Sequence, residues 1–256
     1  MVCNNKEPDL KSMIQRYPRA LAGTVALAAM FLAVGCKPVH HERDTDSKDG
    51  GATPLKTLHV ASNAVATASE VDDGRPVIAC FGDSLTAGYG VDIDSSYPAD
   101  LQRELDQAGY HYRVVNMGIS GDTTKDGLAR IDRVIALKPA ITVVEFGGND
   151  GLRGVPVASS RKNMDEILSR LTTTGTKIAV AGVTLPPQYS APYIQEFNQT
   201  YTLLAKKYSA PLLPFVLQDV YGVNGSIQQD GIHPTAQGCK QVAKNVFGLI
   251  KPLLKK

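Results

Sequence analysis

The chain has 256 residues, 43% hydrophobic and 20% charged, which suits one globular domain with a sizeable core plus some further sequence. A formal net charge of only +2 carries no electrostatic footprint for nucleic acid. The four cysteines, Cys3, Cys36, Cys80 and Cys239, form no C-x-x-C pair and have no zinc-ligand spacing, which argues against a metal enzyme.

Residues 1–35 read as a targeting segment. Lys6, Lys11, Arg16 and Arg19 precede an uncharged stretch, ALAGTVALAAMFLAVG, from Ala20 to Gly35. A basic region followed by a short apolar core is the layout of a secretory signal. The stretch is shorter than the roughly 20 residues that span a bilayer comfortably. It ends in Leu32-Ala33-Val34-Gly35-Cys36, and small residues directly before a cysteine resemble the lipobox of bacterial lipoproteins, with Ala33 where that motif usually has leucine. The resemblance implies cleavage before Cys36, acylation of that residue, and attachment to a membrane through the N-terminal lipid. Lys37, where aspartate favours inner-membrane retention in some bacteria, tilts the expected location to the periplasmic face of the outer membrane. An uncleaved anchor helix and ordinary signal cleavage are the competing readings.

Loss of residues 1–35 removes four basic side chains from 27 and two acidic ones from 25, leaving 23 of each. The positive bias therefore belongs to the signal. Residues 36–75 have few large apolar side chains and no sustained period, so they bury too little surface to offset their ordering entropy and read as a flexible linker. His40 and His41 within it read as solvated rather than metal-binding.

From Pro76 the pattern alternates. Val77 to Phe81 is a short apolar run ending at Gly82, as in a buried parallel strand. Ser96 to Ala108 has helical spacing and stops at Gly109. Arg113 to Met117 is a second strand ending at Gly118, and Asp122 opens a helix carrying Leu128, Ile131, Ile135 and Leu137. Ala140 to Phe146 is a third strand, Ala158 to Leu171 a helix, Lys177 to Val183 a fourth strand, and Tyr193 to Tyr208 a helix. Pro211 to Phe215 makes a short fifth strand. Thr235 to Leu254 is the last helix, with Pro234 suited to its first turn. Such alternation predicts an α/β fold with a parallel sheet covered on both faces. Ligands then sit beyond the carboxyl ends of the strands, where the loops GDSLTAG, GISGD and GGNDG follow strands one to three.

A serine hydroxyl becomes a nucleophile when a base lies within hydrogen-bond reach and a carboxylate orients that base. The domain from residue 76 to 256 has two histidines. His111 enters strand two at the wrong edge and reads as structural or surface. His233 lies just before the last helix, three residues after Asp230, so one turn presents both side chains; taken alone, the pair reads equally as a helix lead-in capped by Asp230. Ser84, in Gly82-Asp83-Ser84-Leu85, stands where a strand turns sharply among small neighbours. No G-x-S-x-G elbow surrounds it, because Thr86 occupies the final position. Asp83 and Asp150 read as loop organisers. Cys80 and Cys239 read as two buried thiols, although a disulfide would suit an oxidising compartment.

Four blocks occur in order: Gly82-Asp83-Ser84-Leu85, the glycine block at Gly118, Gly147-Gly148-Asn149-Asp150, and Asp230-Gly231-Ile232-His233. Together they resemble the GDSL, or SGNH, hydrolase family over Pro76 to the C-terminus. The segments Asn149 to Gly154 and Pro211 to Phe215 and the Asp230 turn add likeness to its bacterial periplasmic thioesterase I, arylesterase and lysophospholipase subgroup. The resemblance implies a flavodoxin-like three-layer sandwich with a central, mostly parallel five-stranded sheet, and a cofactor-free serine esterase or thioesterase acting on small acyl esters or thioesters. It implies Ser84, Asp230 and His233 as catalytic triad, and the amides of Ser84 and Gly118 with the Asn149 side chain as oxyanion donors. Leu152, Arg153, Val155, Pro186 and Pro187 are candidate walls for an acyl chain, or else ordinary surface loops. A carbohydrate O-deacetylase on the same scaffold and a non-enzymatic surface lipoprotein are the alternatives. The sequence sets no oligomeric state.

Overall fold

The computed structural model describes residues 73–256, so the signal segment, Cys36 and nearly all of the expected linker lie outside the described residues. Val77–Gly82 (β1) is buried along its whole length, and so is Ile141–Glu145 (β3), as β-branched and aromatic runs inside a two-sided sheet should be. Arg113–Gly118 (β2) is half-buried throughout and lies at one edge. Lys177–Ala181 (β4) and the two-residue Leu212–Leu213 (β5) complete the order β2-β1-β3-β4-β5, with every pair parallel.

The register sets the site. Gly82 lies opposite Gly118 on one side and Glu145 on the other, so β1, β2 and β3 end level. Their outgoing loops therefore meet where the strand order reverses, the usual ligand position in open α/β sheets.

Helices Ser84–Ala87 (α1), Tyr97–Gln107 (α2), Thr124–Ala129 (α3), Ile131–Ala136 (α4), Gly148–Leu152 (α5), Val157–Thr173 (α6), Ala191–Lys207 (α7) and Ala236–Ile250 (α8) surround the sheet. Helix α2 packs on α8, α3 on α6, and α6 on α7. Phe81 and Phe146 meet edge to face at 4.8 Å in a core shared with Leu101, Ile167, Leu168 and Val242.

Three expectations are corrected. The helix expected from Asp122 is two short helices, broken at Arg130, whose backbone (φ −113°, ψ 10°) leaves the helical region; Thr123 rather than Asp122 caps the first, in a capping box with Asp126. The last helix stops at Ile250 and continues as a 3₁₀ turn, because Pro252 has no N–H to give to the preceding turn. Pro234 precedes the cap Thr235 and bridges to Ile227 instead of lying in the first turn. Cys80 and Cys239 are free, buried thiols.

Candidate active site

Asp83 lies between β1 and α1 and caps the helix. Its carboxylate accepts the Leu85 N–H at 3.1 Å, an N-cap that fixes Ser84 at the first helical position with its side chain half-buried. Across the sheet edge, the turn from Asp230 to His233 is built on one carboxylate. Asp230 Oδ1 accepts the backbone N–H groups of Ile232 and His233 at 2.9 and 3.0 Å, and Gly231 takes the left-handed φ of 74° that the turn requires. Asp230 Oδ2 is then free to sit 2.7 Å from His233 Nδ1, and His233 Nε2 lies 2.8 Å from Ser84 Oγ.

Partial desolvation pushes the Asp230 carboxyl up, but the N–H groups and the imidazole outweigh it and hold the group below its ordinary value. It is therefore ionised near neutrality, as an acceptor facing Nδ1 must be to fix Nε2 as the atom that faces serine.

Gly118 closes β2. A Cβ there would fall 2.2 Å from the Ala87 backbone nitrogen, so only glycine lets β2 lie this close to α1. Its N–H donates to Asn116 Oδ1 at 2.9 Å. Asn149 Nδ2 donates to the Asp122 carbonyl at 2.9 Å and, over a longer 3.3 Å, to Asp83 Oδ2. The remaining aspartate of this loop, Asp150, is buried and receives the N–H and hydroxyl of Thr124 at 2.8 and 2.6 Å, so it pins α3 to α5.

The expected acyl-chain residues lie on two adjoining loops. Leu152 and Arg153 are exposed, Val155 and Pro186 half-buried, and Pro187 exposed. Their hydrogen bonds go elsewhere than to Ser84 or His233: Tyr189 Oη donates to the Leu152 carbonyl, Tyr193 Oη to that of Val155, and Arg153 Nη2 to that of Gly121. A cleft of about 540 Å³ beside the site is lined by Gly90, Asp92, Gln228 and Thr235, and Ser84 is not on its wall. His111 is exposed at the opposite, amino edge of the sheet, where it lines a second cleft with Pro76 and Lys177.

Several site residues carried no readable motif. Glu145 is fully buried, its Oε2 accepting the Thr86 hydroxyl at 2.9 Å. Burial first, and the neighbouring Asp83 charge second, push its carboxyl well above the usual range, which favours its neutral form. A glutamate inside an otherwise apolar strand was the available signal. Tyr89 lays its ring 4.6 Å from the imidazole of His233. Gln228 Nε2 donates at 2.8 Å to both the Tyr89 and Pro234 carbonyls, stapling the serine loop to the histidine turn. Neither residue is distinguishable by type or spacing.

Comparison with known proteins agrees with this architecture. Residues 80–241 match the GDSL-like lipase/acylhydrolase family model. The chain is 42% identical over 174 residues to the esterase TesA of Pseudomonas aeruginosa, covering 68% of this chain and 87% of that one. It is 35% identical over 174 residues to thioesterase 1/protease 1/lysophospholipase L1 of Escherichia coli, covering 68% and 82%. Among solved structures, that of TesA superposes with a TM-score of 0.67 at 41% identity, covering 70% of this chain and 99% of that one. The SGNH-hydrolase family esterase AlinE4 superposes at 0.59 and 42% identity, covering 71% and 98%. With its level strand ends, serine turn and facing imidazole, the chain belongs to the GDSL-like lipase/acylhydrolase family.

Proposed function

We propose that this esterase works through Ser84, His233 and Asp230 by an acyl-enzyme mechanism, and that its substrates include thioesters and lysophospholipids as well as simple acyl esters. The unbroken hydrogen-bond chain from Asp230 through His233 to Ser84 carries the reading. His233 Nε2 takes the proton as Ser84 Oγ attacks the carbonyl carbon. The bond to the leaving group breaks as the imidazolium returns that proton to it. A water, deprotonated by the same nitrogen, then attacks the acyl-serine, and the acid leaves as Ser84 regains its proton. Asp230 holds the tautomer and stabilises the imidazolium.

The backbone N–H groups of Ser84 and Gly118 and the Asn149 amide are the donors for the tetrahedral oxygen. One such donor is typically worth about 100- to 1000-fold in rate. Leu152, Arg153, Val155, Pro186 and Pro187 form a wall for the acyl chain, with the exposed Leu152 as the apolar contact. In the same reading Cys36 carries acyl chains and tethers the domain to the periplasmic face of a membrane, supported by the basic, uncharged and small-residue order of residues 6–36.

The test is a fluorophosphonate probe on the native protein and on Ser84→Ala, run beside esters and thioesters of rising chain length. Labelling of the native protein alone, with turnover extending to long acyl chains, is expected. Absence of labelling would defeat the triad. Turnover confined to acetyl esters would defeat the substrate range and favour a deacetylase. Metabolic incorporation of an alkyne fatty acid that survives Cys36→Ala would defeat the anchor.

A further inference from the structure

We propose that Arg130 is a positioning residue that sets the Met117–Gly118 peptide for oxyanion binding. The proposal rests on Gly118 being an oxyanion donor. The Arg130 side chain is only 10% exposed. Its Nη1 donates to the Met117 carbonyl at 2.7 Å, its Nη2 to the Gly82 carbonyl at 2.9 Å, and its Nε to Asp122 Oδ2 at 2.6 Å. The guanidinium also stacks 4.6 Å from the centre of the Phe81 ring.

These contacts reach the site through covalent geometry. The Met117 carbonyl and the Gly118 N–H are the two ends of one planar peptide group, so holding the oxygen fixes the direction of the hydrogen. A cation on the oxygen also polarises the unit and makes its N–H a stronger donor. The second carbonyl, Gly82, belongs to the peptide leading into Asp83 and the Ser84 turn. The third partner, Asp122, gives its backbone oxygen to Asn149 Nδ2. One guanidinium thus braces the strand ends that lead to the Gly118 and Ser84 donors, and the Asp122 loop that receives the third donor, Asn149. Arginine's planar fork can hold two carbonyls and a carboxylate together, whereas a lysine ammonium is a single point charge. The break between α3 and α4 falls on this residue.

A merely structural arginine would lower stability while leaving the chemistry of the folded molecules intact. The experiment compares full-length Arg130→Lys, Arg130→Met and Arg130→Ala with the native protein and Ser84→Ala, measuring thermal midpoint, kcat, KM and the affinity of a boronic acid that forms a tetrahedral adduct. Arg130→Lys is expected to stay folded with kcat about tenfold lower, KM within twofold, and boronic acid affinity reduced in proportion to kcat. Arg130→Met should lose about 100-fold, in the range of one oxyanion donor. Methylguanidinium should restore part of the activity of Arg130→Ala. Unchanged kcat per folded molecule in Arg130→Lys, or loss of kcat without loss of boronic acid affinity, overturns the proposal even if the other two variants do not fold. Activity retained in Ser84→Ala would instead overturn the triad reading on which it rests.

Discussion

The side-chain oxygen of Asn116 accepts the backbone N–H of Gly118 at 2.9 Å, so the amide proposed for the oxyanion already has a partner before substrate arrives. A neutral amide oxygen yields or shares that hydrogen when a full negative charge develops nearby, since charge-assisted hydrogen bonds are roughly twice as strong as neutral ones. A carboxylate at the same place would not yield, and would repel the oxyanion. Asn116→Asp is therefore expected to lower kcat by about 100-fold, comparable to losing one donor, while Asn116→Ala stays within about threefold of native. Steady-state kinetics on a short-chain ester separates the two variants.

The closeness of β2 to α1 makes a second prediction. In Gly118→Ala the new Cβ would meet backbone atoms of Ala87 at 2.2 and 2.7 Å, which no rotamer change relieves. The variant is expected to lose at least about 100-fold in activity through displacement of the serine turn, with a lowered thermal midpoint. Gly248, by contrast, lies in α8 with open space around its would-be Cβ. Gly248→Ala should stabilise the fold by about 0.5–1 kcal/mol and leave kcat unchanged. Thermal melts and kinetics on both proteins check the pair.

Asp83 supplies a pH dependence with a definite sign. Burial pushes its carboxyl from the ordinary 3.8 up to about 6, against the opposing pull of the Leu85 N–H and His233. The folded state thus holds this proton more tightly than the unfolded chain, so Asp83 makes stability fall as pH rises from about 4 through about 6. Asp83→Asn keeps an oxygen for the Leu85 cap but does not titrate. The difference in urea midpoint, native minus Asp83→Asn, should decline across that window. A difference that rises with pH would contradict the assignment.

Burial also silences the two thiols of the domain. It raises Cys80 to about 12 and Cys239 to about 11, leaving almost no thiolate at neutral pH. Neither should react with an alkylating reagent in the folded protein within an hour, and both should react at once in denaturant. Peptide mapping by mass spectrometry reads each cysteine separately.

Much of the fold was legible because its signals are local. Apolar runs such as Val77 to Phe81, each followed by glycine, mark strands buried on both faces, and the strand–helix alternation leaves a parallel sheet as the way to pack them. The split at Arg130 was not legible as a boundary, whereas the stop at Ile250 had a local signal in Pro252 that the apolar spacing overrode. In the first, tertiary contacts of one side chain override continuous helical spacing; in the second, a single proline truncates a pattern whose apolar residues run on to Leu254.

For the site, the sequence by itself determined that Ser84, Gly118 and Asn149 follow strand ends and so share one edge, while the Asp230 to His233 turn joined them only through the family resemblance. Only the tertiary structure decided how those groups are braced. Arg130 reaches Gly82 across 48 positions of chain, Glu145 reaches Thr86 across 59, and Gln228 reaches Tyr89 across 139. Such contacts leave no period or motif, because they are chosen by the closeness of strand ends in space and by the need of buried polar groups for partners.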